Sequence, residues 1–222
     1  MGIKERKELE KQGMRKLILD TAMKLFLEKG FENITIRHIA EQIEYSPATI
    51  YLYFKDKDDI LYTLHYEGFE ELYRRQLKTL TIKDPLKRLH MHARMYVSFG
   101  MENPEYYDLM FIKRAPIKTI NEMKLKKIKD WNIGKRSYDI LRKNIEDCME
   151  VGAFKKTNID VAAFSLWSYV HGIVSLIIMD RCAMFPQERM GDIVEGALNF
   201  MQESMSIKNM EIKKTSKNQE EI

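Results

Sequence analysis

Apolar residues recur along this chain at helical spacing almost from its start. Residues 1–12 are polar and mixed in charge, and they predict a frayed helical start. From Met14 the pattern is helical, with Leu17, Ile18, Thr21, Ala22, Leu25 and Phe26 recurring at i, i+1, i+4, i+5 and i+8 along one face, and Gly30 supplies a stop. Thr35 is a natural N-cap for a second helix with Ile36, Ile39, Ala40 and Ile43 on one side. Glu44-Tyr45 makes a short turn. Ser46 caps a third helix, Pro47 to Tyr53, whose proline sits where a first helical residue tolerates it. Asp56 caps a fourth, Lys57 to Thr79. Asp84-Pro85 opens a fifth to about Met101, and Asn103-Pro104 a sixth to about Phe111. The chain breaks at Ala115-Pro116, and a seventh helix runs to Val151 with Gly152 as its end. Asn158 or Asp160 opens an eighth, ending near Met184, and Pro186 a ninth, to Ser206. The tail from Ile207 to Ile222 is polar and predicts disorder. No strand-like alternation and no internal repeat interrupts this pattern. The expected fold is all-α, with about nine helices. A three-helix unit (10–56) is joined by a continuous fourth helix to a helical body (57–206), followed by the tail (207–222).

Composition refines this picture only in places. At 222 residues and 45% hydrophobic content, the chain can fill one sizeable core or two small ones. Met1 to Lys16 has no apolar run of the kind a secretory signal needs, so a cytoplasmic protein is expected. Cys148 and Cys182 form no metal-ligand or redox spacing and read as two reduced thiols. Val161 to Met179 is almost uncharged and long enough to span a bilayer. Ser165, Ser168, His171, Gly172 and Ser175 interrupt it, so a buried or subunit-interface helix is expected instead. Net charge does not single out the amino-terminal part: residues 1–57 and the remainder each carry +2. A nucleic-acid role must rest on where particular residues sit.

Residues 35–54 supply that placement. A DNA major groove admits one helix, presented by another packed across it through a tight turn. Ile36, Ile39, Ala40 and Ile43 form the inner face of the first helix, and small Ala40 permits close approach. Ile50 and Phe54, four apart, form the inner face of the second. Ser46, Pro47, Ala48, Thr49, Tyr51, Leu52 and Tyr53 remain for bases and phosphates. The string ITIRHIAEQIEYSPATIYLYFKDKDDIL, from Ile34 to Leu61, closely resembles the DNA-binding domain of the TetR family of transcriptional regulators. The resemblance covers about residues 10–62 and rests on Gly30-Phe31, Thr35, Ile39-Ala40, Ser46, Thr49, Tyr51, Tyr53-Phe54, Lys57 and Leu61. It implies that Thr35 contacts a phosphate with its hydroxyl and its amide at a helix N-terminus, and that Arg37 sits near the groove edge, in reach of a base or a phosphate. Tyr45, Ser46, Pro47, Ala48 and Thr49 match the base-reading start of the recognition helix. Tyr51 and Tyr53 match aromatics that reach the phosphate backbone, and Lys57 a lysine that pairs with a phosphate. Two positions depart from the family: Glu44 stands where the turn usually has glycine, and Ala48 where glycine or serine is common.

For the body, Trp167-Ser-Tyr-Val-His171-Gly172 resembles the WHG class of TetR carboxy-terminal domains. Trp167 and His171 lie four apart on one helix face. Either they belong to the core, with His171 in a buried hydrogen bond, or they touch a ligand. The family's eighth and ninth helices imply a homodimer, a four-helix bundle across a two-fold axis, so that two recognition helices about 34 Å apart read a palindromic double-stranded operator. Met91, Met95, Phe99, Met110, Phe111, Trp131, Tyr138, Trp167 and His171 are candidates to line a small-molecule pocket, although most also suit an ordinary core. His90 and His92 lie on different helix faces, against a metal site from this pair, and Lys124, Lys126, Lys127 and Lys129 read as a solvated face. No cofactor, metal or membrane partner is called for. The expected function is a ligand-released repressor. The alternatives are a ligand-independent structural DNA binder and an enzyme with an appended helix-turn-helix, for which no nucleophile–base pair or phosphate loop is seen.

Overall fold

The computed structural model describes residues 2–114 and 132–206. Trp131, the four lysines from Lys124 to Lys129, the start of the expected seventh helix and the tail after Ser206 fall outside them. Among the described residues, nine helices run in order: α1 (Ile3–Lys29), α2 (Ile36–Gln42), α3 (Pro47–Tyr51), α4 (Lys57–Thr79), α5 (Pro85–Glu102), α6 (Pro104–Tyr107), α7 (Ile133–Glu150), α8 (Ile159–Ile178) and α9 (Met190–Met205). Two 3₁₀ turns (Phe31–Asn33 and Gln187–Arg189) and a π turn continuing α6 (Asp108–Ile112) accompany them. The only extended pairing among the described residues is an isolated bridge between Phe154 and Ser206.

The starts of these helices follow local chemistry. Ser46, Asp84 and Asn158 each accept a hydrogen bond from a first-turn amide. Asp56 Oδ1 accepts from the Asp59 N–H at 2.8 Å. Three helices, α2, α7 and α8, end in the same closing geometry, a left-handed residue flanked by paired bonds back into the last turn. Gly152 takes this position after α7 with φ 72°, where glycine bears no Cβ penalty. Asp180 takes it after α8 with φ 52°; Arg181 N–H donates to Leu176 O and Asp180 N–H to Ile177 O. This closure ends α8 at Ile178, short of the Met184 expected from the pattern, and residues 180–184 form turns.

Contacts divide the described chain into two units. Unit one holds the described residues up to Glu70 together with 104–114, and α4 runs unbroken across the division between Glu70 and Glu71. Its core gathers Ile18, Ala22, Leu25 and Phe26 of α1, Ile36, Ile39 and Ala40 of α2, Ile50 and Phe54 around α3, and Ile60, Leu61 and Leu64 of α4. Leu19 and Met23 are buried as well, whereas Leu17 is exposed, so the inner face of α1 is rotated from the one the pattern predicts. Residues 3–13 are helical and exposed.

Unit two packs α5 against α7, α8 and α9. A buried polar chain ties α5 to α7: Arg88 donates to Asn144 Oδ1 at 2.8 Å, to Ile82 O and to Asp147, and Asn144 meets His92 Nδ1 at 3.3 Å. His92 is buried, and desolvation holds its pKa down at about 4. His90, two residues away, turns instead to Gln202 and Glu195 of α9, each at 3.1 Å. The two imidazoles therefore face different neighbours. α8 is long and apolar enough to cross a membrane by composition, with a mean hydropathy of 1.8. Ala162, Ala163, Leu166, Val170 and Val174 of this helix are buried against protein, while Val161, Phe164 and Leu176 are exposed.

Candidate nucleic-acid interface

The turn between α2 and α3 sets the whole site. Tyr45 N–H donates to Ala40 O at 2.9 Å and Glu44 N–H to Glu41 O at 3.2 Å, closing α2 around Glu44 at φ 60°. The chain then enters α3 with Ser46 extended at its N-cap; Ser46 Oγ accepts from the Thr49 N–H and lies 3.1 Å from Thr49 Oγ1. Ile50 and Phe54 point into the core, at 0% and 2% exposure, and fix the rotation of the helix. Tyr45, Ser46, Pro47, Ala48, Tyr51 and Leu52 are consequently exposed; Thr49 is half-buried, its hydroxyl close to that of Ser46, and Tyr53 packs partly against the core. The expected third helix, Pro47 to Tyr53, is regular only to Tyr51, and Leu52 retains helical dihedrals after it.

Thr35 caps α2 reciprocally. Its Oγ1 accepts from the His38 N–H at 3.2 Å, and its own N–H donates to His38 Nδ1 at 3.3 Å. The imidazole fills the role a glutamate or glutamine usually takes at this position. It therefore occupies the amide that the family resemblance assigns to a phosphate, and leaves the exposed hydroxyl. Arg37 is exposed and paired with Glu41 at 3.0 Å, a surface pair of small energetic weight. This pair neutralises a carboxylate beside the exposed face. Lys57 is committed inward. Its Nζ donates to Phe31 O at 2.8 Å and lies 4.2 Å from the centre of the Phe31 ring. Sequence reasoning missed this tie, because a lysine at a helix start reads equally well as a free cation. It also missed His38, whose partner role needs the folded cap.

The candidate ligand residues do not form one set. Tyr138, Trp167 and His171 gather in unit two: Trp167 lies 6.1 Å from the Tyr138 ring and 6.0 Å from that of His171. Trp167 Nε1 donates to Tyr96 Oη at 3.1 Å, a partner the sequence did not single out. His171 Nε2 lies 3.4 Å from Ser175 Oγ, and burial lowers its pKa. Phe99 is fully buried beneath the Arg75 guanidinium, and Met95 is half-buried. Met91 is exposed at 41%, which argues against a lining role in this arrangement. Met110 and Phe111 belong to unit one, where Phe111 packs on Phe69 and Tyr107.

Comparison with known proteins agrees with this architecture. Residues 18–63 match the family model for bacterial regulatory proteins of the tetR family, and residues 89–200 that for a tetracyclin repressor-like C-terminal domain. The HTH-type transcriptional regulator HbdR of Aromatoleum sp. (strain CIB) is 29% identical over 160 residues, 71% of this chain and 67% of that protein. The fatty acid metabolism regulator protein of Bacillus subtilis (strain 168) is 34% identical over 70 residues, but these are only 32% of this chain and 36% of that one. Among solved structures, the TetR family transcriptional regulator PfmR from Thermus thermophilus superposes with a TM-score of 0.64 at 21% identity, covering 83% of this chain and 96% of its own. The regulator FadR from Bacillus subtilis, solved in complex with stearoyl-CoA, gives 0.62 at 18% identity over 83% and 95%. With a helix-turn-helix matched at one end and a regulator-type helical domain over half the chain, this protein belongs to the TetR family of bacterial transcriptional regulators.

Proposed function

We propose that the chain is a homodimeric repressor that binds a palindromic operator and leaves it when a small apolar or amphipathic molecule binds the body. One observation carries the DNA-reading part: Tyr45 to Ala48, Tyr51 and Leu52 stand exposed on a helix whose opposite face, Ile50 and Phe54, is locked in the core. Thr35, Arg37, Thr49, Tyr53 and Lys57 complete the proposed contact set. Lys57 acts from its place beside Phe31, holding the start of α4 and the turn after α1 as one piece.

The dimer is supported by the exposed apolar residues Val161, Phe164 and Leu176 on α8 and Phe200 on α9, where Phe200 is 68% exposed. Burying such side chains against a second copy is the ordinary remedy for a helix apolar on several faces. The ligand class is supported by the aromatic cluster of Tyr96, Tyr138, Trp167 and His171, and by the acyl-CoA bound to the FadR relative. Because α4 belongs to both units, displacement of its carboxy-terminal half would be felt at Lys57. A ligand releases DNA only through different affinities for the two states. The repressor acts inside the cell, as its regulator relatives imply.

The test is a mobility shift with DNA from upstream of the chain's own gene. A retained palindrome, bound well ahead of random DNA at moderate salt and weakened by stearoyl-CoA as the first ligand probe, is expected. Equal binding to random DNA would leave a structural DNA binder as the better account. Specific binding that no acyl-CoA disturbs would remove the ligand class alone.

A further inference from the structure

Leu52 is 79% exposed, more than any other large apolar side chain among the described residues. Leaving a leucine in water forgoes the burial that usually places it in a core. Its position is specific. Leu52 follows α3 with φ −71° and ψ −20°, and its N–H donates back to Thr49 O and Ile50 O, so the helical register continues through it. It therefore stands one turn after Ala48, four residues on, on the face opposite Ile50. Ala48 is exposed too. The two form a short apolar stripe on the side of α3 that the proposed function turns toward DNA.

Few partners in a major groove suit such a stripe. Base edges there present donors and acceptors, and the C5-methyl of thymine is the apolar exception. We propose that Leu52, with Ala48 beside it, packs on a thymine methyl group and so fixes an A·T pair in each half-site. The inference rests on the repressor reading and adds to it: Leu52 is a specificity residue, whereas Tyr51 and Tyr53 serve the sequence-independent backbone.

The experiment selects a preferred duplex from a random pool with the purified full chain. Each thymine of that duplex is then replaced in turn by deoxyuridine, which removes the methyl and keeps every hydrogen-bonding group. One thymine per half-site is expected to lose about fourfold in affinity, the worth of one buried methyl group. Leu52→Ala is expected to bind the parent duplex more weakly and to be indifferent to that replacement. A flat deoxyuridine series, or a Leu52→Ala protein that still feels the methyl, overturns the inference while the repressor reading stands. If Leu52→Ala loses the same affinity, relative to the parent protein, on the thymine duplex and on the deoxyuridine duplex, the side chain rests on sugar and the inference is also overturned. Failure to enrich any preferred duplex overturns both readings together.

Discussion

Glu44 holds a backbone conformation that L-residues avoid. At φ 60° its Cβ crowds the neighbouring carbonyl, at a cost of about 1–2 kcal/mol. The same closing motif is served by Gly152 after α7 without that cost. Nothing in the described contacts compensates at Glu44, which is exposed and donates only its backbone N–H to Glu41 O. Its carboxylate also adds negative charge next to Tyr45 and Ser46, the residues proposed to meet DNA. Glu44→Gly is therefore expected to raise unfolding stability by about 1 kcal/mol, read as a higher denaturation midpoint with unchanged slope. It should also tighten binding to random and specific DNA alike, because the charge acts on the phosphate field. A less stable Glu44→Gly protein would show that the glutamate has a partner the turn geometry does not reveal. Lys57 makes the opposite point about single residues. A cation bonded to Phe31 O at 2.8 Å is first a structural tie, and any phosphate must compete for it or be positioned by it.

At the scale of elements, α4 and the α6 segment approach so closely that a methyl group decides the packing. A Cβ on Gly68 would stand 2.5 Å from Met110 Sδ and 2.9 Å from Tyr106 Cδ1. The π turn brings Met110 there, closing with Lys113 N–H donating to Asp108 O at 2.9 Å. In an exposed helix, glycine to alanine gains about 1 kcal/mol. Here the sign reverses: Gly68→Ala should cost roughly 1–3 kcal/mol through overpacking, and Met110→Ala in that background should recover part of it. A Gly68→Ala protein with a raised Tm would refute the close approach. These elements also mark what a sequence discloses. Caps at Thr35, Ser46, Asp56, Asp84 and Asn158 were legible, because a cap is chemistry between residues two or three apart. The length of α8 and the π turn of α6 were not, since left-handed closure at Asp180 and the seating of Met110 on Gly68 depend on the folded surroundings. The turn of the helix-turn-helix was legible almost entirely, being local. The aromatic cluster was half legible: Trp167 and His171 showed in their spacing, whereas Tyr96 looks like any core tyrosine until Trp167 donates to it.

For the whole molecule, one buried histidine in each unit makes stability a function of acidity. His65, on α4 in unit one, lies against Phe69 with a ring separation of 5.0 Å and has its pKa pushed down to about 4 by burial. His92, in unit two, is lowered to about 4 by the same cause. The unfolded chain takes up these protons near pH 6.5, and the folded protein only near pH 4. Their effect on stability is therefore nil above about pH 6.5, grows as pH falls through the interval, and levels off near pH 4. Linkage gives about 1.4 kcal/mol per pH unit per histidine across that range. Moving from pH 7.5 to pH 5.5 should then cost roughly 1 kcal/mol for each, read from guanidinium unfolding at both pH values. His65→Gln and His92→Gln should each flatten the pH slope by about one proton, whatever they do to stability at neutral pH. Because the two residues sit in different units, their effects should be separable by the probe used. In a Trp131→Phe background, Trp167 is the sole tryptophan and its fluorescence reports unit two. A slope that both variants leave intact would move the acid sensitivity to other groups and leave the burial of these two rings without thermodynamic consequence.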